Sequence, residues 1–192
     1  MDLQPISAED YALREFWIRW WCTPWSWAHH IWHDQFASLC GLPAEGCAQL
    51  MRGHCAEFLL SAGINPSQPP EPDPKLMQWL MLSAEQQNRA LDLAGRICFG
   101  GDLAGSTKNP DMDGDVHEAW CRRLAKALRP GQWVEPKISD ARQLLGAWTD
   151  AACWSRLRLC WPPCELPETL ATICSHKLQT LWVAVFWRVT TP

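Results

Sequence analysis

The sequence predicts an all-α protein, a single irregular helical domain of about seven helices. Three observations carry that expectation. Apolar residues recur at three- and four-residue spacing through most of the chain, the period of one helix face. Those stretches are bracketed by helix start and stop residues, such as Thr23-Pro24 before one and Gly100-Gly101 after another. Strands alternating with helices, the pattern of an α/β protein, are missing.

Ser7 and Asp10 form a loose N-terminal cap for the first helix. Leu13, Phe16, Trp17, Trp20 and Trp21 then recur at 3, 1, 3 and 1, one amphipathic face. Thr23 reads as an N-cap with Pro24 at the first helical position. The second helix is expected to run to about Cys40, stopped by Gly41, with Trp25, Ala28, Trp32, Phe36 and Leu39 as its stripe. Residues 16–36 hold six of the 14 tryptophans. Most of them are expected to be buried where these two helices meet as an antiparallel pair. Trp27 falls opposite the stripe, near His30 and Asp34. It is either covered by another helix or an exposed binding anchor. A third helix is expected from Pro43 to Gly63.

Residues 64–74, INPSQPPEPDP, carry five prolines and read as an extended connector. The expected organisation is one domain over 1–192, in which this connector separates a Trp-rich part (1–63) from the remainder (75–192). The connector is expected to be a spacer rather than a ligand for a proline-binding domain. Helical periodicity resumes over 75–99, where Ser83 to Gln86, SAEQ, is a capping box. After a polar loop, Asp115 with Glu118 caps a helix carrying Val116, Trp120, Leu124, Ala127 and Leu128 on one face. Arg122, Lys126 and Arg129 fall on the other, and Pro130-Gly131 ends it. A further helix is expected from about Asp140 to Trp154. Residues 155–161, SRLRLCW, alternate polar and apolar and suit either a short strand or a helix tail. The last helix, about Pro167 to Val189, is apolar on most sides in its second half and is therefore expected to be buried.

Charge is divided along the chain. Residues 1–119 hold 7 Lys and Arg against 16 Asp and Glu, and residues 120–192 hold 10 against 5. The net charge of −4 argues against a nucleic-acid binder. Ten cysteines without a basic, apolar opening segment point to free thiols in a reducing compartment, the cytoplasm. The most apolar run, LWVAVFW at 181–187, is far shorter than the roughly 20 residues of a membrane span.

No catalytic constellation, metal site or cofactor motif emerges. His29 and His33 are one helical turn apart, a spacing that suits zinc, but the H-E-x-x-H glutamate and a third ligand are missing. Cys160 to Cys164, CWPPC, has three intervening residues, not the two of a redox dithiol. His54 and Cys55 are sequence neighbours and point apart on a helix. DMDGDVHEAWCR at 111–122 misplaces the glycine and the final glutamate of a calcium loop. FGGDLAG at 99–105 lacks the strand and lysine of a phosphate loop.

Two stretches are more particular: WCRRLAKALRPGQWV from Trp120, and RQLLGAWTDAACWSRLRLCWP from Arg142. They resemble the SctK family (YscK, OrgA and HrpD types), cytoplasmic adaptors of bacterial type III secretion sorting platforms. Trp120, Cys121, Arg123, Leu124, Trp148, Trp154, Arg156, Leu157 and Leu159 carry the resemblance, with Tyr11 to Arg14 and Cys174 to Leu178 as lesser pieces near the two ends. It implies an all-helical protein without catalysis or cofactor. Such a protein links the cytoplasmic domain of the inner-membrane ring protein to the platform's pod protein. It lies at the inner membrane through these partners, without inserting. On this reading Arg122, Lys126, Arg129, Arg156, Arg158 and Trp27 are the candidate partner contacts. Two readings from other classes stand beside it: a metal- or thiol-dependent enzyme using His29, His33 or a cysteine, and a nucleic-acid binder using exposed tryptophan with the basic C-terminal part.

Overall fold

A computed structural model describes residues 8–41, 51–100, 114–167 and 173–191. The chain is mainly α, and no strand is present among the described residues. Nine α-helices have both ends among them: α1 (Ala8–Cys22), α2 (His30–Leu39), α3 (Cys55–Ser61), α4 (Pro74–Leu80), α5 (Ala84–Phe99), α6 (Gly114–Leu128), α7 (Ala141–Trp148), α8 (Ala151–Leu157) and α9 (Ser175–Thr190). Residues 51–53 are also helical.

There are more helices than expected because three expected helices are each interrupted. The third breaks at His54. The stretch 75–99 breaks before Ser83, whose hydroxyl accepts from the Gln86 backbone N–H while the Gln86 side chain accepts from Ser83 N–H. That box starts a helix, as such boxes do. The stretch 140–154 breaks at Thr149-Asp150, residue types that favour helix caps over interiors. The second helix is shorter than expected: Pro24–Ser26 form a 3-10 turn, and α2 starts only at His30. Thr23 does not cap that turn; its hydroxyl bonds back to the Arg19 carbonyl at 2.7 Å. Residues 155–161 prove to be helix and turn: α8 runs to Leu157 and a 3-10 turn covers Arg158–Cys160. Pro43, Ser7 and the polar loop lie outside the described residues.

The chain divides into two compact units, 1–77 with 152–168, and 78–151 with 169–192. In the first, Trp32, Phe36, Met51, Phe58, Leu59, Ile64 and Leu159 form a core. Trp17, Trp20 and Trp21 of α1 are also buried. Removing about 150–250 Å2 of each ring from water is worth about 4–6 kcal/mol at 25 cal/mol per Å2. Part of their cover comes from an unexpected source. The Trp17 indole N–H donates to the Pro70 carbonyl at 2.7 Å, and that of Trp21 to the Ser67 carbonyl at 2.9 Å. The proline-rich stretch is therefore not a bare spacer. Extended, proline-rich backbone makes no internal hydrogen bonds, so its carbonyls are open to the tryptophans of α1. Leu39, expected inside on the α2 stripe, is 73% exposed.

The second unit packs α6, the 3-10 turn Pro130–Gln132 that follows it, α7 and α9 around α5. Leu93, Ala94 and Ile97 of α5, Leu144 and Leu145 of α7, and Leu178, Leu181 and Val185 of α9 are buried. An aromatic cluster of Trp79, Trp148, Trp182 and Phe186 fills its interior, with ring centroids 5.5–6.5 Å apart in tilted or edge-on pairs.

Candidate functional site

α9 has two faces. Leu178, Leu181, Trp182, Val185, Phe186 and Val189 recur at three- and four-residue spacing and are buried. Off that stripe, Val183 is 49% and Trp187 61% exposed. With Gln179, Thr180 and Ala184 they form an open, mainly apolar patch along one side of the helix. The expectation that this half of the helix is buried on all sides is thus corrected: one stripe suffices for the core, and the surplus apolar residues face outward. Tryptophan is a residue type enriched at the energetic centres of protein interfaces.

The basic face of α6 lies in the same unit. Arg122, Lys126 and Arg129 are all exposed and follow one another at helix-face spacing. Arg122 pairs with Glu118 one turn earlier, an exposed contact of a few tenths of a kcal/mol. Arg129 takes a left-handed backbone, φ 53°, where α6 gives way to Pro130. The helix buries Cys121 and Leu128 on its inner side. Burial pushes the Cys121 thiol up to about 11, partly offset by the Arg96 guanidinium.

Arg156 and Arg158 are not on a solvated segment: they are 2% and 6% exposed. The Arg156 guanidinium lies over the Trp21 ring, 3.6 Å from its centroid, and donates to Ser67 Oγ at 3.4 Å. Its Nε has no hydrogen-bond partner, and desolvation lowers its pKa. Arg158 donates to the Ala62 carbonyl and faces the Trp32 ring at 5.3 Å. Both side chains pin separate segments to tryptophans within the first unit, so neither presents a charge to a partner. Trp27 stacks on Trp20 with centroids 5.3 Å apart and planes 10° from parallel, and donates to the Trp20 carbonyl at 3.0 Å. That packing accounts for its half-buried ring.

The two candidate ligand histidines have local roles. His29 caps α2, its Nδ1 accepting from Ile31 N–H at 3.4 Å. His33 sits edge-on to Phe58, 6.1 Å between centroids. No group of three or more His, Cys, Asp or Glu arranged for a metal exists among the described residues. In CWPPC, Cys160 is half-buried with its thiol pushed up to about 12 by burial, while Cys164 is exposed. No helix among the described residues is long and apolar enough to cross a membrane. Compared with protein-family models, with curated proteins and with solved structures, the chain matches none.

Proposed function

We propose that the chain is a non-catalytic adaptor of a bacterial type III secretion sorting platform. It joins the cytoplasmic domain of the inner-membrane ring protein to the platform's pod protein, and so works at the inner membrane without inserting into it. The observation that carries the docking half of this reading is the outward Val183/Trp187 patch of α9. An apolar anchor with a separate basic row on α6 offers two chemically different contact surfaces, the requirement of a linker between two partners. The platform half rests on the sequence resemblance. Its residues are mostly interior: Cys121, Trp148, Trp154, Arg156, Leu157 and Leu159 are buried. They are therefore a signature of the fold, and the contacts themselves belong to other residues.

The test is a pull-down of the tagged chain from its native cell without cross-linker, read by mass spectrometry. Recovery of a ring subunit and a pod subunit supports the reading. Recovery of neither, in cells assembling a secretion system, overturns it. Val183→Asp with Trp187→Ala is expected to lose one partner by about 30-fold or more in affinity, the loss of a hot-spot residue. Arg122→Glu with Arg129→Glu is expected to weaken the other mainly through its association rate.

A further inference from the structure

α1 ends at Cys22 and α3 begins at Cys55. The Cys55 thiol donates to the Cys22 carbonyl, Sγ to O 3.5 Å. A carbonyl oxygen stands about 2.4 Å from its own Cα, so the Cys55 sulfur lies within about 6 Å of the Cys22 Cα. In a disulfide that separation is about 3–4.5 Å, so turning the Cys22 side chain toward Cys55, with a shift of no more than about 2 Å, closes the bond. Cys22 is exposed and Cys55 half-buried, so the pair lies at the surface and not in the core with Cys153. A fixed cation stands by: the charge of Arg156, held over Trp21, acts on Cys55, and both Cys22 and Cys55 act on Arg156.

We propose that Cys22 and Cys55 form a reversible oxidation site, a dithiol that a hydroperoxide converts to a disulfide. Cys22, the open thiol, reacts first. Its thiolate attacks a peroxide oxygen, the O–O bond breaks, and hydrogen peroxide leaves as hydroxide with Cys22 as the sulfenic acid. Cys55 then attacks the Cys22 sulfur, the S–O bond breaks, and the departing hydroxide takes the Cys55 proton as water. Two thiols give up two electrons and two protons, and one peroxide becomes two waters. Burial and the adjacent Cys22 raise the Cys55 pKa, and Arg156 opposes them. Cys55 therefore attacks through its minor thiolate fraction, which makes closure of the disulfide the slower of the two steps. The product ties the end of α1 to the start of α3 across 33 positions of sequence. It does not depend on the adaptor reading.

The reduced full chain is treated with one equivalent of hydrogen peroxide, blocked with N-ethylmaleimide, digested without reductant and read by mass spectrometry. The digest must separate Cys22 from Cys40. The expected result is a Cys22–Cys55 linked peptide in several-fold excess over any other pair, lost on adding dithiothreitol. The thermal midpoint of the oxidised chain should rise, and the rise should vanish in Cys22→Ser, a change at an exposed position. Cys40→Ser should leave the linkage intact. Linkage spread evenly over the exposed Cys22, Cys40, Cys164 and Cys174 would overturn the proposal, as would Cys22 recovered as sulfinic acid with Cys55 alkylated.

Discussion

Substituting Arg156 separates a structural role from a docking role. In Arg156→Met the charge is lost and most of the bulk over Trp21 is kept. The guanidinium stacks at 3.6 Å from the ring centroid, an interaction of about 2 kcal/mol when desolvated. Its bond to Ser67 Oγ, at 3.4 Å, is too long to add much. Against these losses, methionine removes a buried cation whose Nε is unpartnered and whose desolvation costs several kcal/mol. It also retains a sulfur–aromatic contact of about 1 kcal/mol. The terms nearly cancel, and the expected change is within about 2 kcal/mol of wild type. Arg156→Ala removes the bulk as well and leaves a void beside Trp21, at an expected cost of about 2–4 kcal/mol. Urea unfolding by circular dichroism, with hydrogen exchange of the α1 amides, measures both. Partner pull-down should survive Arg156→Met. A methionine variant that folds as wild type but loses a partner would refute this account and return Arg156 to the contact surface. A loss above about 4 kcal/mol would show that the charge itself holds the fold.

Trp182, buried with its N–H on the Leu144 carbonyl at 3.3 Å, should cost about 3–5 kcal/mol as Trp182→Ala, and about 1 kcal/mol as Trp182→Phe; urea unfolding distinguishes them. Ser83→Ala removes the α5 capping box and should cost about 1 kcal/mol, seen as faster exchange of the first-turn amides. Burial pushes the thiols of Cys98 and Cys160 up to about 12 and that of Cys121 to about 11, from an ordinary 9.0. In the folded chain these three should resist maleimide at pH 8 while exposed Cys164 and Cys174 react. The same shifts set a stability slope. The unfolded chain releases these protons near pH 9 and the folded chain does not, so this contribution is whole below about pH 9. It is lost progressively as pH rises toward 12, and urea midpoints should fall over that range.

Local chemistry is what sequence reading captured. The capping box at Ser83 and Gln86 and the Pro130-Gly131 stop are each written within a few residues. Reading SAEQ as a helix start rather than a helix interior would also have placed the break before α5. Arg156 and Arg158 were misplaced because charged residues are seldom fully buried, and what buries them is remote. Trp21 is 135 positions from Arg156 and Trp32 is 126 from Arg158. The outward apolar patch of α9 was legible but missed. Val183 and Trp187 sit four apart, off a stripe already complete without them.

The tryptophans divide by the work that their indole groups do. Four of the indoles here act as staples for backbone that has no regular partner. Trp17 and Trp21 donate to Pro70 and Ser67 of the proline-rich stretch, Trp32 to the Trp161 carbonyl, and Trp154 to the Pro167 carbonyl. Each such bond satisfies a carbonyl in a segment with neither helix nor strand, while the ring fills space beneath it. That dual use explains a high tryptophan load without invoking nucleic acid or membrane. Trp187 differs from these four. Its ring is turned to solvent on a regular helix whose own carbonyls are already paired, beside a second outward apolar residue. Among the described residues it staples no segment, and contact with another molecule is a role that an exposed indole suits.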